Sequence, residues 1–283
     1  MLKSESFSDC LETLFTINRA LFHVFIRYVL KFPLLAAMKF GLIGYPLGHS
    51  FSKAYFTEKF EDLGLTDFEY DNFPLANIKD IVPLLKSNIA GLNVTLPYKK
   101  AILEFINEID REALEIRAVN TLVRTGMNSW KGFNTDASAF RETLAAWIGN
   151  RPLPTKALVL GSGGASRAIL HVLNGLGIQP SIVSHSGKGD YSYDQLTPSI
   201  VGAHLLIINT TPLGMAPDIM TCPAIPFEQI TSQHWLYDLV YNPVNTLFLT
   251  RGKASGARTK NGLDMLHLQA EHAWSIWKVY GKF

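Results

Sequence analysis

The sequence is poor in cysteine and in concentrated charge, and no apolar run in it reaches membrane-spanning length unbroken. Its two cysteines, Cys10 and Cys222, are far apart in 283 residues. They offer neither a metal-ligand spacing nor a disulfide framework, which fits a reducing cytoplasm. The 26 basic and 24 acidic side chains leave a net charge of +2, and the longest basic cluster is Lys99-Lys100. That excludes the electrostatic footprint of a nucleic-acid binder. Tandem repeats and low-complexity tracts are also lacking. What remains is an ordinary globular balance, 47% hydrophobic, in a chain long enough for about two domains.

The first 37 residues stand apart. Leu21 to Ala37 is rich in Leu, Phe and Val, but Arg27, Lys31 and Pro33 interrupt it. A membrane helix needs roughly 20 mostly apolar residues. Leu34-Leu-Ala-Ala37 faintly imitates a signal-peptide cleavage site. Yet Met38-Lys-Phe-Gly-Leu-Ile-Gly44 then begins a clean core strand at an internal methionine. Residues 1–37 read as an extension or a start placed too early, rather than as a membrane anchor.

From Met38 the pattern is strand, glycine turn, helix, repeated. Strands are predicted at 40–43, 68–73 and 90–96, and helices at 50–63, 77–85 and 100–106, with Pro83 a weak point of the second helix. Segments 118–124 and 130–133 form a hairpin turning at Gly126. A helix over 136–148 leads to Gly149-Asn-Arg-Pro-Leu-Pro154, which breaks the chain. A second series follows, with strands at 156–160, 181–184, 205–208 and 236–239 and a long last helix at 262–280. Alternating strands and helices imply an α/β protein with mostly parallel sheets. The second series reads as a doubly wound nucleotide-binding unit, and the last helix is long enough to pack back on the first.

Two strand ends carry chemistry. Asn93-Val-Thr-Leu-Pro-Tyr-Lys99 sets a lysine just past a buried strand, where α/β enzymes build sites. Gly132-Phe-Asn-Thr-Asp136 sets a carboxylate between a strand and a helix. Brought together, the two can hold, give and take a proton beside a reacting oxygen. Gly161-Ser-Gly-Gly-Ala-Ser-Arg167 lies between an apolar strand and a helix, the context in which glycines approach a pyrophosphate. Gly161, Ser162, Gly163, Gly164 and Ala165 are its candidate cofactor residues. The next strand ends Ser184-His-Ser-Gly-Lys188, with no acid before Asp190 to take a ribose 2′-hydroxyl. Ser184, His185 and Ser186 suit a 2′-phosphate instead, which favours NADP, although no arginine is there to clamp it.

Several motifs in shared order resemble the shikimate dehydrogenase family from about Met38 to the C-terminus. They are Gly48-His-Ser-Phe-Ser52, Asn93 to Lys99, Ala118-Val-Asn-Thr121, Asn134-Thr-Asp136, the loop at 161–167, Asn209-Thr-Thr-Pro-Leu-Gly214, Tyr241-Asn-Pro243 and Asn261-Gly-Leu-Asp-Met-Leu266 with Gln269. The resemblance implies an N-terminal substrate domain (38–135 with 263–283) and a Rossmann-type NADP domain (136–262). It implies NADPH-dependent reduction of 3-dehydroshikimate to shikimate, on the route to chorismate and the aromatic amino acids. Lys99 and Asp136 would be catalytic. Ser50 and Ser52 would hold the substrate carboxylate, with Tyr241 reaching the same side. Asn93, Thr95, Asn120 and Gln269 would join Asp136 around the hydroxyls. Asn209, Thr210, Gly262 and Met265 would lie on the nicotinamide side. Taken alone, Ser50 reads as a helix N-cap, Asn120 as a strand-end turn residue, Gln269 as a polar helix position and Met265 as core packing. A quinate/shikimate dehydrogenase of relaxed cofactor use, or a shikimate binder without catalysis, are the alternatives. Neither a metal, a nucleic acid nor a membrane is expected as partner, and the chain is read as a monomer or homodimer.

Overall fold

A computed structural model describes residues 38–48 and 50–281, so the expectations for the 1–37 extension, and His49 of the first motif, lie outside the described residues. Strands β1 (Met38–Gly44), β2 (Phe68–Pro74), β3 (Ile89–Val94), β4 (Glu108–Ile109), β5 (Thr121–Gly126) and β6 (Ser129–Phe133) form one sheet in the order β2-β1-β3-β5-β6-β4. β1 runs parallel to β2 and β3, whereas β5 is antiparallel to both β3 and β6. β4 is parallel to β6, so the sheet is mixed, its parallel pairs joined through the antiparallel β5. The cause is the hairpin between β5 and β6, which returns the chain in two residues where a parallel pair needs a long crossover.

Helices α1 (Phe51–Asp62), α2 (Ile81–Lys86) and α3 (Arg111–Ile116) serve this sheet. The helix expected at 77–85 is split, with a 3₁₀ turn at Ile78–Asp80 ahead of α2. Pro83 falls in the first turn of α2, where its missing N–H costs no helical bond. The helix expected at 100–106 is a 3₁₀ run, Ala101–Phe105. The sequence reading did not anticipate α3, whose N-cap Asp110 accepts from the Glu112 N–H at 3.1 Å.

Helix α4 (Thr135–Ile148) leads to a second sheet of β7 (Lys156–Leu160), β8 (Gln179–Val183), β9 (Leu206–Asn209), β10 (Trp235–Asp238) and β11 (Arg258–Lys260). These strands are all parallel, in the order β11-β10-β9-β7-β8, with α5 (Gly164–Gly175), α6 (Pro198–Ala203) and α7 (Leu247–Ala254) between them. Chain order reverses between β7 and β9, and in the first sheet between β1 and β3. Such reversals open a crevice at the carboxyl ends of the strands.

Two packing layers fix the units against each other. Ala137, Phe140, Leu144 and Ile148 of α4 share a buried cluster with Val159, Ile208 and Tyr237 of the second sheet. Each such large side chain contributes roughly 1.5–3 kcal/mol on burial. Helix α8 (Leu263–Gly281) returns to the first sheet, as expected, through an aromatic layer of Phe40, Phe56, Phe60, Tyr70, Trp274 and Trp277. The Trp277 indole N–H donates to the Leu122 carbonyl at 2.9 Å. A Cβ at Gly91 would collide with that nitrogen, so the glycine is what lets the ring reach the strand. Among the described residues, no helix is long and apolar enough to cross a membrane.

Candidate active site

The hairpin explains why distant residues meet. In the antiparallel register Asn93 faces Thr121, and Thr121 faces Phe133. The end of β3, the start of β5 and the end of β6 therefore share one edge of the sheet. The Val119 N–H donates to the Lys99 carbonyl at 2.8 Å and the Val94 N–H to that of Asn120, also at 2.8 Å. These bonds hold the lysine segment against the hairpin.

At that edge Lys99 Nζ lies 2.6 Å from Asp136 Oδ2, with the side chains only 14% and 9% exposed. Asp136 sits in the first turn of α4, where the helix dipole favours a negative charge. Asn134 caps this helix by accepting from the Ala137 N–H at 3.2 Å. Asn120 supplies the other fixed contacts: its Nδ2 donates to Asp136 Oδ1 at 2.9 Å, and its Oδ1 accepts from the Thr135 N–H at 2.8 Å. Both oxygens of the carboxylate are thus engaged, which locks its plane. An ion pair this enclosed survives only because hydrogen bonds offset the loss of water.

The remaining expected substrate residues differ in what holds them. Asn93 donates to Thr121 Oγ1 at 3.3 Å and accepts from the Tyr70 hydroxyl at 2.8 Å. Tyr70 also hydrogen-bonds Ser52, and burial pushes its phenol well above the ordinary range. The sequence reading missed Tyr70 and Thr121 as members of this network. A tyrosine on a buried strand face was the available signal, because its hydroxyl must find a partner. Ser50 caps α1, accepting from the Lys53 N–H at 3.3 Å, so the reading it had alone is realised. Thr95 follows β3, its N–H bound to the Ile43 carbonyl at 2.9 Å. Gln269 Nε2 turns to its own helix, donating to the Leu266 carbonyl at 2.9 Å. Tyr241, from the loop after β10, stands edge-on to Phe51 of α1 at 6.2 Å, so the walls of the crevice meet there.

The opposite wall is the glycine loop. Gly161 adopts φ +111°, and a Cβ there would stand 2.8 Å from Thr210 Oγ1. Thr210 in turn donates to the Leu160 carbonyl at 2.8 Å. Glycine is therefore demanded both by backbone conformation and by space. Gly163 caps α5 without a side chain, and Ala165 follows in the first turn. The N–H groups there have no side-chain cap, the arrangement that attracts a phosphate. A Cβ at Gly164 would lie 3.2 Å from Lys99 Cβ. The lysine thus stands at the mouth of the loop. Ser162, Ser184 and Ser186 form a hydroxyl cluster with Oγ–Oγ distances of 2.9, 3.3 and 2.8 Å. His185 stacks on Tyr193 at 4.3 Å. Asp190, the nearest acid in sequence, is spent on the Ile182 N–H at 2.7 Å. This donor set, rich in hydroxyls and without a free carboxylate, suits a phosphorylated ribose.

Three expected nicotinamide-side residues have internal partners. Asn209 is wholly buried, donating to Asp238 Oδ1 at 2.9 Å and accepting from the Thr211 N–H at 3.0 Å. Through these bonds its side chain shapes the loop after β9. Gly262 is pressed on the Leu239 backbone, where a built Cβ would collide with the carbonyl oxygen. Met265 lies in the core cluster it shares with α4.

Asp238 makes the strand ends sensitive to pH. It is fully buried, and burial pushes its carboxyl up to about 6 although Thr246, Val240 and Asn209 all donate to it. Because the folded-state value exceeds the unfolded one, the folded protein binds the proton more tightly between roughly pH 4 and 6. Stability from this group falls as pH rises through that window, by about 3 kcal/mol in all. Melting wild type and Asp238→Asn in parallel checks the sign. The lead of wild type over the variant widens by several degrees as pH drops from 7.5 to 4.5, and a constant or shrinking lead contradicts the linkage.

Comparison with known proteins agrees with this geometry. The family model described as the shikimate dehydrogenase substrate binding domain matches residues 42–122. A protein of Halothermothrix orenii named shikimate dehydrogenase (NADP(+)) is 38% identical over 262 residues, covering 84% of this chain and 89% of that one. The Thermus thermophilus shikimate 5-dehydrogenase, solved in complex with NADP(H) and shikimate, is 31% identical with a TM-score of 0.72, covering 85% and 93%. The Aquifex aeolicus shikimate dehydrogenase is 26% identical with a TM-score of 0.76, covering 88% and 98%. Similarity of this extent along both sheets, joined to the lysine–aspartate pair at the glycine loop, means that the chain belongs to the shikimate dehydrogenase family.

Proposed function

We propose that this protein reduces 3-dehydroshikimate to shikimate with NADPH, a step toward chorismate and the aromatic amino acids. The observation that carries the reading is the Lys99–Asp136 pair, 2.6 Å apart, with Lys99 against Gly164 of the nucleotide loop. Residues 38–135 with 263–283 form the substrate domain in this reading, and 136–262 the NADP domain.

Bound NADPH supplies the hydride for the ketone carbon. Lys99 then stabilises the negative charge building on the ketone oxygen and delivers the proton. Asp136 holds the ammonium in place and accepts from a neighbouring substrate hydroxyl. Asn93, Asn120, Thr95 and Gln269 orient the other hydroxyls, for which amides are apt partners. Ser50 keeps its hydroxyl hydrogen for the substrate carboxylate, and Ser52 would turn its own from the Tyr70 oxygen to the same group, with Tyr241 on the same side. The loop from Gly161 to Ala165 would hold the pyrophosphate, Thr210 the nicotinamide side, and Ser162, Ser184, His185 and Ser186 the 2′-phosphate.

Following NADPH absorbance with 3-dehydroshikimate tests the activity. A flat trace with shikimate still bound favours a non-catalytic binder, and equal kcat/KM for quinate and for NAD favours the relaxed-specificity enzyme. The hydroxyl cluster gives a sharper expectation. Ser184→Ala and Ser186→Ala each weaken NADP binding by about tenfold, the scale of a hydrogen bond to a charged group, and leave NAD binding within twofold. Calorimetric titration of both nucleotides reads it, and parallel losses place the phosphate elsewhere.

A further inference from the structure

Outside the residues already assigned, one polar constellation joins the two helices that carry them. Ser138 Oγ of α4 lies 2.7 Å from His272 Nδ1 of α8, and His272 Nε2 lies 3.2 Å from Glu142 Oε1, again of α4. A carboxylate only accepts, so in the neutral ring Nε2 carries the proton and Nδ1 accepts from the Ser138 hydroxyl, for which it is a closer acceptor at 2.7 Å than the Thr135 carbonyl at 3.3 Å. Serine, histidine and glutamate in this order resemble an activated nucleophile. Acyl chemistry needs paired N–H donors for an oxyanion, however, and the Thr135 and Ala137 N–H groups at this helix start are taken by Asn120 and Asn134. The bridge has a mechanical use instead.

Ser138 follows Asp136 by two residues, about 200° round the helix at 3.6 residues per turn. Asp136 therefore points to Lys99 while Ser138 points away from it, at α8. On α8, Gln269 precedes His272 by three residues, which puts the two on one face. We propose that His272 is a positioning residue: by gripping Ser138 and Glu142 it sets the rotation of α4 against α8, and so the distance between Asp136 and Gln269. Because both are substrate ligands in the function proposed above, this inference rests on that reading. The nucleotide loops stem from β7 and β9 and lie outside the bridge. His272 thus acts directly on the substrate side, and reaches the cofactor side only through the core that α4 shares with Val159 and Ile208.

Steady-state kinetics and thermal melting of the full chain test it with His272→Ala, Ser138→Ala, the double variant and His272→Asn. Losing the bridge raises KM for shikimate about fivefold in either single variant and lowers kcat as well, because Asp136 also anchors Lys99, with KM for NADP within twofold, on the scale of one lost part-buried hydrogen bond. The double variant is no worse than the singles, since the two groups act as one unit. His272→Asn, which keeps a donor and an acceptor, recovers most of the loss. An unchanged KM for shikimate in Ser138→Ala overturns the proposal. So does a parallel rise of both KM values tracking a fall in Tm, which marks a structural role only. If wild type itself gives no shikimate-dependent reduction of NADP, the function reading fails and takes this inference with it.

Discussion

Lys99→Met lowers kcat for shikimate oxidation by on the order of 10³-fold while substrate binding changes little. A positioned proton donor contributes typically 10²–10⁴-fold, and the same ammonium also opposes the charge on the developing oxyanion, which adds to the loss. Methionine is the informative replacement because it retains an unbranched stem beside Gly164, where an added Cβ would lie 3.2 Å from Lys99 Cβ. The crevice wall keeps its shape and only the charge and its proton are removed. Turnover is read from NADPH absorbance, and binding of shikimate and NADP from calorimetry on the same preparation. A kcat within tenfold of wild type, with intact binding, assigns the proton to another group. A loss confined to affinity makes Lys99 a binding residue only.

Much of this site was legible because both reactive groups stand at strand ends. Position relative to a strand is readable from apolar runs and glycine turns, so Lys99, Asp136 and the loop at Gly161 emerge without coordinates. Less legible was what depends on pairing. That Asn93 faces Thr121 follows from the antiparallel register of β3 and β5, which motif spacing alone does not give. Tyr70 joins Ser52 to Asn93 from a strand that carries no motif of its own. Motif membership also says little about what a side chain touches. Asn209 belongs to a recognisable run, but its side chain is consumed by Asp238 and Thr211 within the loop it shapes. A pattern marks a residue as needed without distinguishing a ligand from the scaffold beneath it. The short α3 escaped notice for a simpler reason: six residues give too little periodicity to read.

Asp136→Asn separates the carboxylate's two duties. The amide has nearly the same shape, but it offers one acceptor oxygen where the carboxylate uses two, toward Lys99 and toward Asn120. If that oxygen faces Lys99, its NH₂ confronts the Asn120 NH₂. In the other orientation it confronts the ammonium. Either way a near-buried donor is left without a partner, at a cost of about 1–3 kcal/mol. Removing one member of a buried ion pair costs about 3–5 kcal/mol in deep interiors, and less here because the two side chains keep 14% and 9% exposure. The variant therefore melts lower than wild type, unlike a change of rate alone. With its anchor gone, the ammonium is no longer held beside the ketone oxygen, and kcat falls by about 10²-fold, the loss expected when a catalytic group is misplaced by an ångström. Adding shikimate restores part of the lost Tm if the variant still binds it, since a ligand selective for the folded state stabilises it. A fall in Tm with kcat unchanged makes Asp136 purely structural, and unchanged Tm with lost turnover shows that the pair contributes nothing to the fold.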